Sequence, residues 1–238
     1  DRALPEQMWP HVRRALDLVC DLQAPAGEIF WAREGGVTRR EALLTGSSST
    51  YQSLRCGIAL AELVGEPQPE WELAAGLLQH AVAQHPEVFL DKRRFSMDWY
   101  YPVLGGAVRG EAGRELLASR WEEFAVAGHG VRCVADRPWV TGAETAELAL
   151  ALLTVGDTGG ARQLLAEVQH LRHDDGSYWT GLVYDEGVNW PVERSPWTAA
   201  AVLLADDALK GGTTKALFVG DGLPTGIVLP VDACRVAG

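Results

Sequence analysis

The sequence predicts an all-α fold, an α/α toroid with inner helices standing inside outer ones, and three observations carry that expectation. Apolar residues recur at helical spacing through eight segments, with Gly, Pro or Asp in nearly every gap. Those segments alternate between a class charged on one face and a class nearly uncharged along its middle turns. The uncharged class is rich in small residues, which let helix backbones approach closely, and each of its members opens on an aromatic: Tyr51, then Trp99-Tyr100-Tyr101, then Trp139, then Trp197.

The first helix is expected from Glu6 to Leu22, where Met8, Trp9, Val12, Leu16, Val19 and Leu22 form an apolar stripe that ends at Ala24-Pro25-Ala26-Gly27. The second runs from Ser48 to Val64. Thr45-Gly46-Ser47-Ser48 offers capping hydroxyls at its start, and Gly65-Glu66-Pro67 stops it. Helices follow at Pro69 to His85, Ser96 to Val108, Gly110 to Val126, Thr141 to Val155, Thr158 to His173 and Pro196 to Leu209. No strand is expected before residue 210. The anchors at 51, 99, 139 and 197 recur at a spacing suited to a helix-hairpin repeat.

Composition narrows the function classes. The chain has 238 residues, 47% of them apolar, enough for a sizeable core. A net charge of -11 with no basic stripe argues against nucleic acid as a partner. Cys20, Cys56, Cys133 and Cys234 form no CxxC pair and read as reduced thiols of a cytoplasmic protein. No apolar run is long enough for integral membrane insertion, and the N-terminus lacks a signal-peptide pattern. Nine tryptophans, against five tyrosines and five phenylalanines, are an unusual share that packing or a functional surface has to explain.

A loop pattern recurs twice: Gln23, Gly27 and Trp31 after the first helix, and Gln169 with Asp175-Gly176-Ser177-Tyr178-Trp179 after the seventh. This pattern resembles the QW repeats of the terpenoid cyclases. The stretches SMDWYYPVLGGAVRGEA, GVRCVADRPWVTGAETAEL and DGSYWTGLVYDEGVNWPVERSPWTAAAVLLADDAL are similar to actinobacterial prenyltransferase-like proteins of the terpenoid cyclase and protein prenyltransferase superfamily. That resemblance covers residues 6 to 209. It implies a six-hairpin toroid of twelve helices, of which eight are counted, and hence an expected domain over 1–209 that is partial at its N-terminus. Residues 210–238 are then expected to be an extended or disordered tail.

Two chemistries remain open on this reading. The resemblance implies a transferase or cyclase acting on an isoprenoid or other elongated, lipid-like ligand. Trp99, Tyr100, Tyr101, Trp139, Trp190 and Trp197 would line its cavity, and Arg137 or Arg194 would hold an anionic end unless each pairs with Asp136 or Glu193. The DxDD motif of the cyclases is missing; Asp206-Asp207 does not supply it. A zinc set of the prenyltransferase kind is missing too, Cys133, Asp136 and His129 or His170 standing in the wrong order, so neither metal nor cofactor is expected. The alternative is a glycoside hydrolase or lyase. Asp98, Glu144 and Glu193 would be its catalytic carboxylates, drawn from a wider set that includes Glu147 at a helix start and Asp185 and Glu186 in the loop before the last inner helix. First-turn acids also simply favour the helix dipole. A non-catalytic binding scaffold is the third possibility.

Overall fold

The computed structural model describes residues 2–220 and 222–230; Cys234 lies outside them. The chain divides into two compact units, the first made of residues 2–91, 105–108 and 222–230, the second of 92–104 and 109–220.

The first unit begins with α1 (Ala3–Asp21), followed by an antiparallel hairpin of β1 (Phe30–Glu34) and β2 (Val37–Ala42) and by helices α2 (Leu44–Val64) and α3 (Pro69–Gln84). Gly35 and Gly36 make the hairpin turn with φ of 55° and 81°, the left-handed geometry that matches strand twist. α2 ends on Gly65, also left-handed at φ 81°. Trp9, Leu16, Tyr51, Leu54, Ile58, Trp71, Leu78 and Ala107 share one apolar core, and the Trp71 indole donates to Asp17 Oδ1 at 3.0 Å. Arg55 is buried, and its guanidinium donates to the carbonyls of Pro224 at 2.9 Å and Leu223 at 3.2 Å. Tyr51 Oη donates to Thr225 O at 3.1 Å, and Ile227 N to Glu72 O at 3.0 Å, so residues 223–227 are pinned to α2 and α3.

The second unit holds α4 (Met97–Leu104), α5 (Gly110–Ser119), α6 (Trp121–Phe124), β3 (Ala125–Val126), β4 (Gly130–Arg132), β5 (Trp139–Thr141), α7 (Gly142–Thr154), α8 (Thr158–Glu167), β6 (Gly181–Val183), β7 (Val188–Asn189), α9 (Pro196–Leu209) and α10 (Thr213–Phe218). Its strands form one antiparallel sheet in the order β3-β4-β5-β6-β7. α7 is the centre of the unit, buried along nearly its whole length. It packs against α4, α8 and α9.

The all-α toroid is therefore overturned: the fold is mixed α/β, with sheets of two and five strands. Two physical reasons account for the error. β3 to β7 are only two or three residues long, too short to show an alternating pattern, and the Gly-Gly signal of the first hairpin sits among charges rather than apolar residues. The expected helices are present but several stop early. α4 ends at Leu104 because Gly106 turns left-handed (φ 78°), and the segment expected as one helix from Gly110 breaks at Arg120, whose φ of -129° lies outside the helical range. The QW reading also fails in detail. Gln169 Oε1 accepts from the Tyr178 hydroxyl at 3.1 Å, and Trp31 stands exposed.

Candidate active site

The carboxylates of α7 stand at the end of the helix that adjoins β5. Thr145 shapes that end: its Oγ1 donates to Thr141 O at 2.6 Å and accepts from Val131 N at 2.9 Å, locking the first turn of α7 onto β4. Ser96 N donates to Cys133 O at 3.0 Å, which ties the start of α4 to the chain just after β4. Ser195 caps α9 by accepting from Trp197 N at 3.1 Å. Close approach of α9 to α7 depends on Gly142, where an added Cβ would lie 2.5 Å from Thr198 Cγ2. We expect Gly142→Ala to cost about 1–3 kcal/mol, read as a lowered denaturation midpoint; an unchanged midpoint would show that α9 shifts freely.

Glu144 and Glu147 lie one turn apart on one face of α7. Glu147 is buried, and Tyr100 Oη donates to its Oε2 at 2.7 Å. Tyr101 and the Trp197 indole stand near the same carboxylate and favour its charged form. Burial dominates its titration and pushes it up to about 7; the nearby Glu144 charge adds to this, while Tyr100, Tyr101 and Trp197 oppose it. The Cys133 thiol lies near Glu144, and burial and then the Glu144 charge hold it well above the usual thiol range. Tyr100 and Tyr101 are likewise raised, first by burial and then by Glu147, so both remain neutral. The result is a carboxyl that exchanges its proton near neutrality, held by the Tyr100 hydroxyl and set beside a second carboxylate.

The other residues singled out from the sequence fall in different places. Asp98 is buried in the first turn of α4, three residues before Tyr101. Glu193 is exposed and accepts from Thr180 Oγ1 at 3.3 Å. Trp99 is a core anchor: its indole donates to Leu116 O at 2.8 Å and its ring stacks on Phe124 at 5.5 Å. Trp139 donates to Trp190 O at 2.8 Å, and the two rings meet edge to face at 4.8 Å, with Trp190 half exposed. Trp197 is 60% exposed, and its indole contributes to the titration of Glu147. Arg137 is exposed; Asp136 pairs with Arg94 at 2.9 Å, and Arg194 pairs with Asp175. Among the described residues no group of three or more His, Cys, Asp or Glu is placed to hold a metal ion, and no helix is long and apolar enough to cross a membrane. Sequence reasoning counted Glu147 among the first-turn acids but not among its chosen catalytic three. The signal for it was the isolation of one carboxylate between Ala146 and Leu148-Ala149 in an otherwise apolar turn.

No protein-family profile matches the chain. It is similar to a protein of Mycolicibacterium hassiacum named MMP endo-(1,4)-3-O-methyl-alpha-D-mannosidase, with 58% identity over 228 residues, 95% of this chain. The match spans 64% of that relative's length. Similarity of this extent to a glycosidase overturns the resemblance to prenyltransferase-like and terpenoid cyclase-like proteins, and with it the isoprenoid or lipid-like ligand. Aromatic residues misled that reading, because an aromatic surface suits a sugar ring as well as a prenyl chain.

Proposed function

We propose that the chain contributes the acid centre of a glycoside hydrolase that cleaves internal α-(1,4) bonds in a 3-O-methylmannose oligosaccharide. The observation that carries this reading is Glu147, a buried carboxyl whose proton is retained up to about pH 7 beside the second carboxylate Glu144. Glycosidic cleavage needs that division of labour between two carboxyl groups. The similarity to the mannosidase supports the substrate class.

Protonated Glu147 gives its proton to the glycosidic oxygen as the C–O bond breaks and the electron pair passes to that oxygen. The anomeric carbon acquires oxocarbenium character. Water then adds to that carbon, its proton passing to a carboxylate. Asp98, Glu144 and Glu193 are the candidates the sequence offers, and Glu144 is the one coupled electrostatically to the acid. Its charge both favours the cationic transition state and holds the proton on Glu147. Trp197 favours the charged form of Glu147 from nearby and offers an exposed indole face on which a sugar ring can stack.

Incubation with a defined α-(1,4)-linked 3-O-methylmannose oligosaccharide, with products resolved by mass spectrometry, tests the reading. Shorter internal fragments are expected. A substrate left intact, while the protein remains folded, would overturn it.

A further inference from the structure

Cleavage at an internal bond requires sugar units to be held on both sides of the scissile oxygen, and the loops around residues 175–179 and 192–194 form a concavity. It measures about 500 Å³ and is lined by Asp175, Ser177, Trp179, Val192, Glu193 and Arg194. We propose that this cavity is a distal subsite that binds a neutral, O-methylated hexose unit of the oligosaccharide cleaved at Glu147. The proposal rests on the function proposed above.

The cavity is organised before any ligand enters. Arg194 Nη1 is shared among Asp175, Ser177 Oγ at 3.0 Å and His173 Nδ1 at 3.0 Å, and its guanidinium lies over the Trp179 ring, 5.4 Å from the centroid. Asp175 also accepts from Ser177 N at 3.0 Å and Ser177 Oγ at 2.6 Å; these bonds and Arg194 hold it well below the usual carboxylate range. A guanidinium fixed at one nitrogen recognises hydroxyls with little further loss of side-chain freedom. Nε and Nη2 of Arg194 and Oε2 of Glu193 make no hydrogen bond to the described residues, which leaves donors and an acceptor directed by the same wall.

Charge and surface chemistry select the ligand class. Two carboxylates against one guanidinium disfavour a phosphate or carboxylate ligand and suit neutral hydroxyls. Val192, 82% exposed, and the partly exposed Trp179 add apolar surface beside those polar groups. That mixture matches a sugar that carries both hydroxyl and methoxy groups. The location fits as well. Arg194 and Trp197 are three positions apart, so their Cα atoms lie within about 11 Å, and one oligosaccharide can span from Trp197 to the cavity.

The test measures calorimetric affinity for a disaccharide and a longer α-(1,4)-linked 3-O-methylmannose oligosaccharide in a Glu147→Gln background, where the sugar is bound but cut far more slowly. Val192→Arg fills the mouth of the cavity from an exposed position that bears no packing, and Glu193→Ala removes its free acceptor. Each is expected to lower the ratio of long-chain to disaccharide affinity about tenfold. An unchanged ratio in both variants, with cleavage by the wild-type protein intact, would overturn the subsite and leave the proposed function standing. Absence of binding by either sugar together with absence of wild-type cleavage would overturn both.

Discussion

Glu147→Gln is expected to lower the rate of oligosaccharide cleavage by about 10²–10⁴-fold, the range a positioned general acid supplies, while making the protein more stable above pH 7. The two effects share one cause. In the folded state Glu147 is pushed up to about 7 by burial, whereas in the unfolded chain it titrates near the ordinary glutamate value of about 4.3. Between those two pH values the folded state binds more protons than the unfolded state, so stability falls as pH rises through this window. Above it the cost is on the order of 3 kcal/mol, because a carboxylate stays ionised in a site that has excluded water. Glutamine carries no charge and escapes that cost. Denaturant midpoints at pH 5 and pH 8 therefore should diverge, with the variant gaining on the wild type only at the higher value. A merely structural glutamate would show the stability change without the loss of cleavage, and equal midpoints at both pH values would contradict the burial argument itself.

A second large effect is expected in the pH profile. If Glu147 acts as the acid, kcat/KM falls as pH rises through about 7, where the proton to be donated is lost. Tyr100 donates to Oε2 at 2.7 Å and so favours the charged form of Glu147. Tyr100→Phe removes that donor and should move the alkaline limb to higher pH by about one unit. Because Tyr100 is buried and neutral, it has no titration of its own in this range. A limb that stays in place or moves to lower pH would show that a different group sets it.

The helical segments were legible because their information is local. Met8, Trp9, Val12 and Leu16 recur at helical spacing whatever else the chain does, and Gly65 stops α2 by the same left-handed geometry in any context. The sheet was not legible. Val131 pairs with Thr141, and Val140 with Leu182, across long separations, and strands of two or three residues carry no periodicity of their own. Counting helices alone therefore led to a toroid.

The candidate site divides along the same line. From the sequence came a short list of acids and aromatics, including Asp98, Glu144, Glu193 and Trp197, together with the alternative of paired-carboxylate chemistry. Their identities are properties of the chain. Which carboxyl keeps its proton is a property of its neighbours: Glu144 and Glu147 lie on one helix face three residues apart, yet burial and the groups from α4 and α9 converge on Glu147. Desolvation and hydrogen bonding add up over groups brought together from distant segments, so only the tertiary structure decides them.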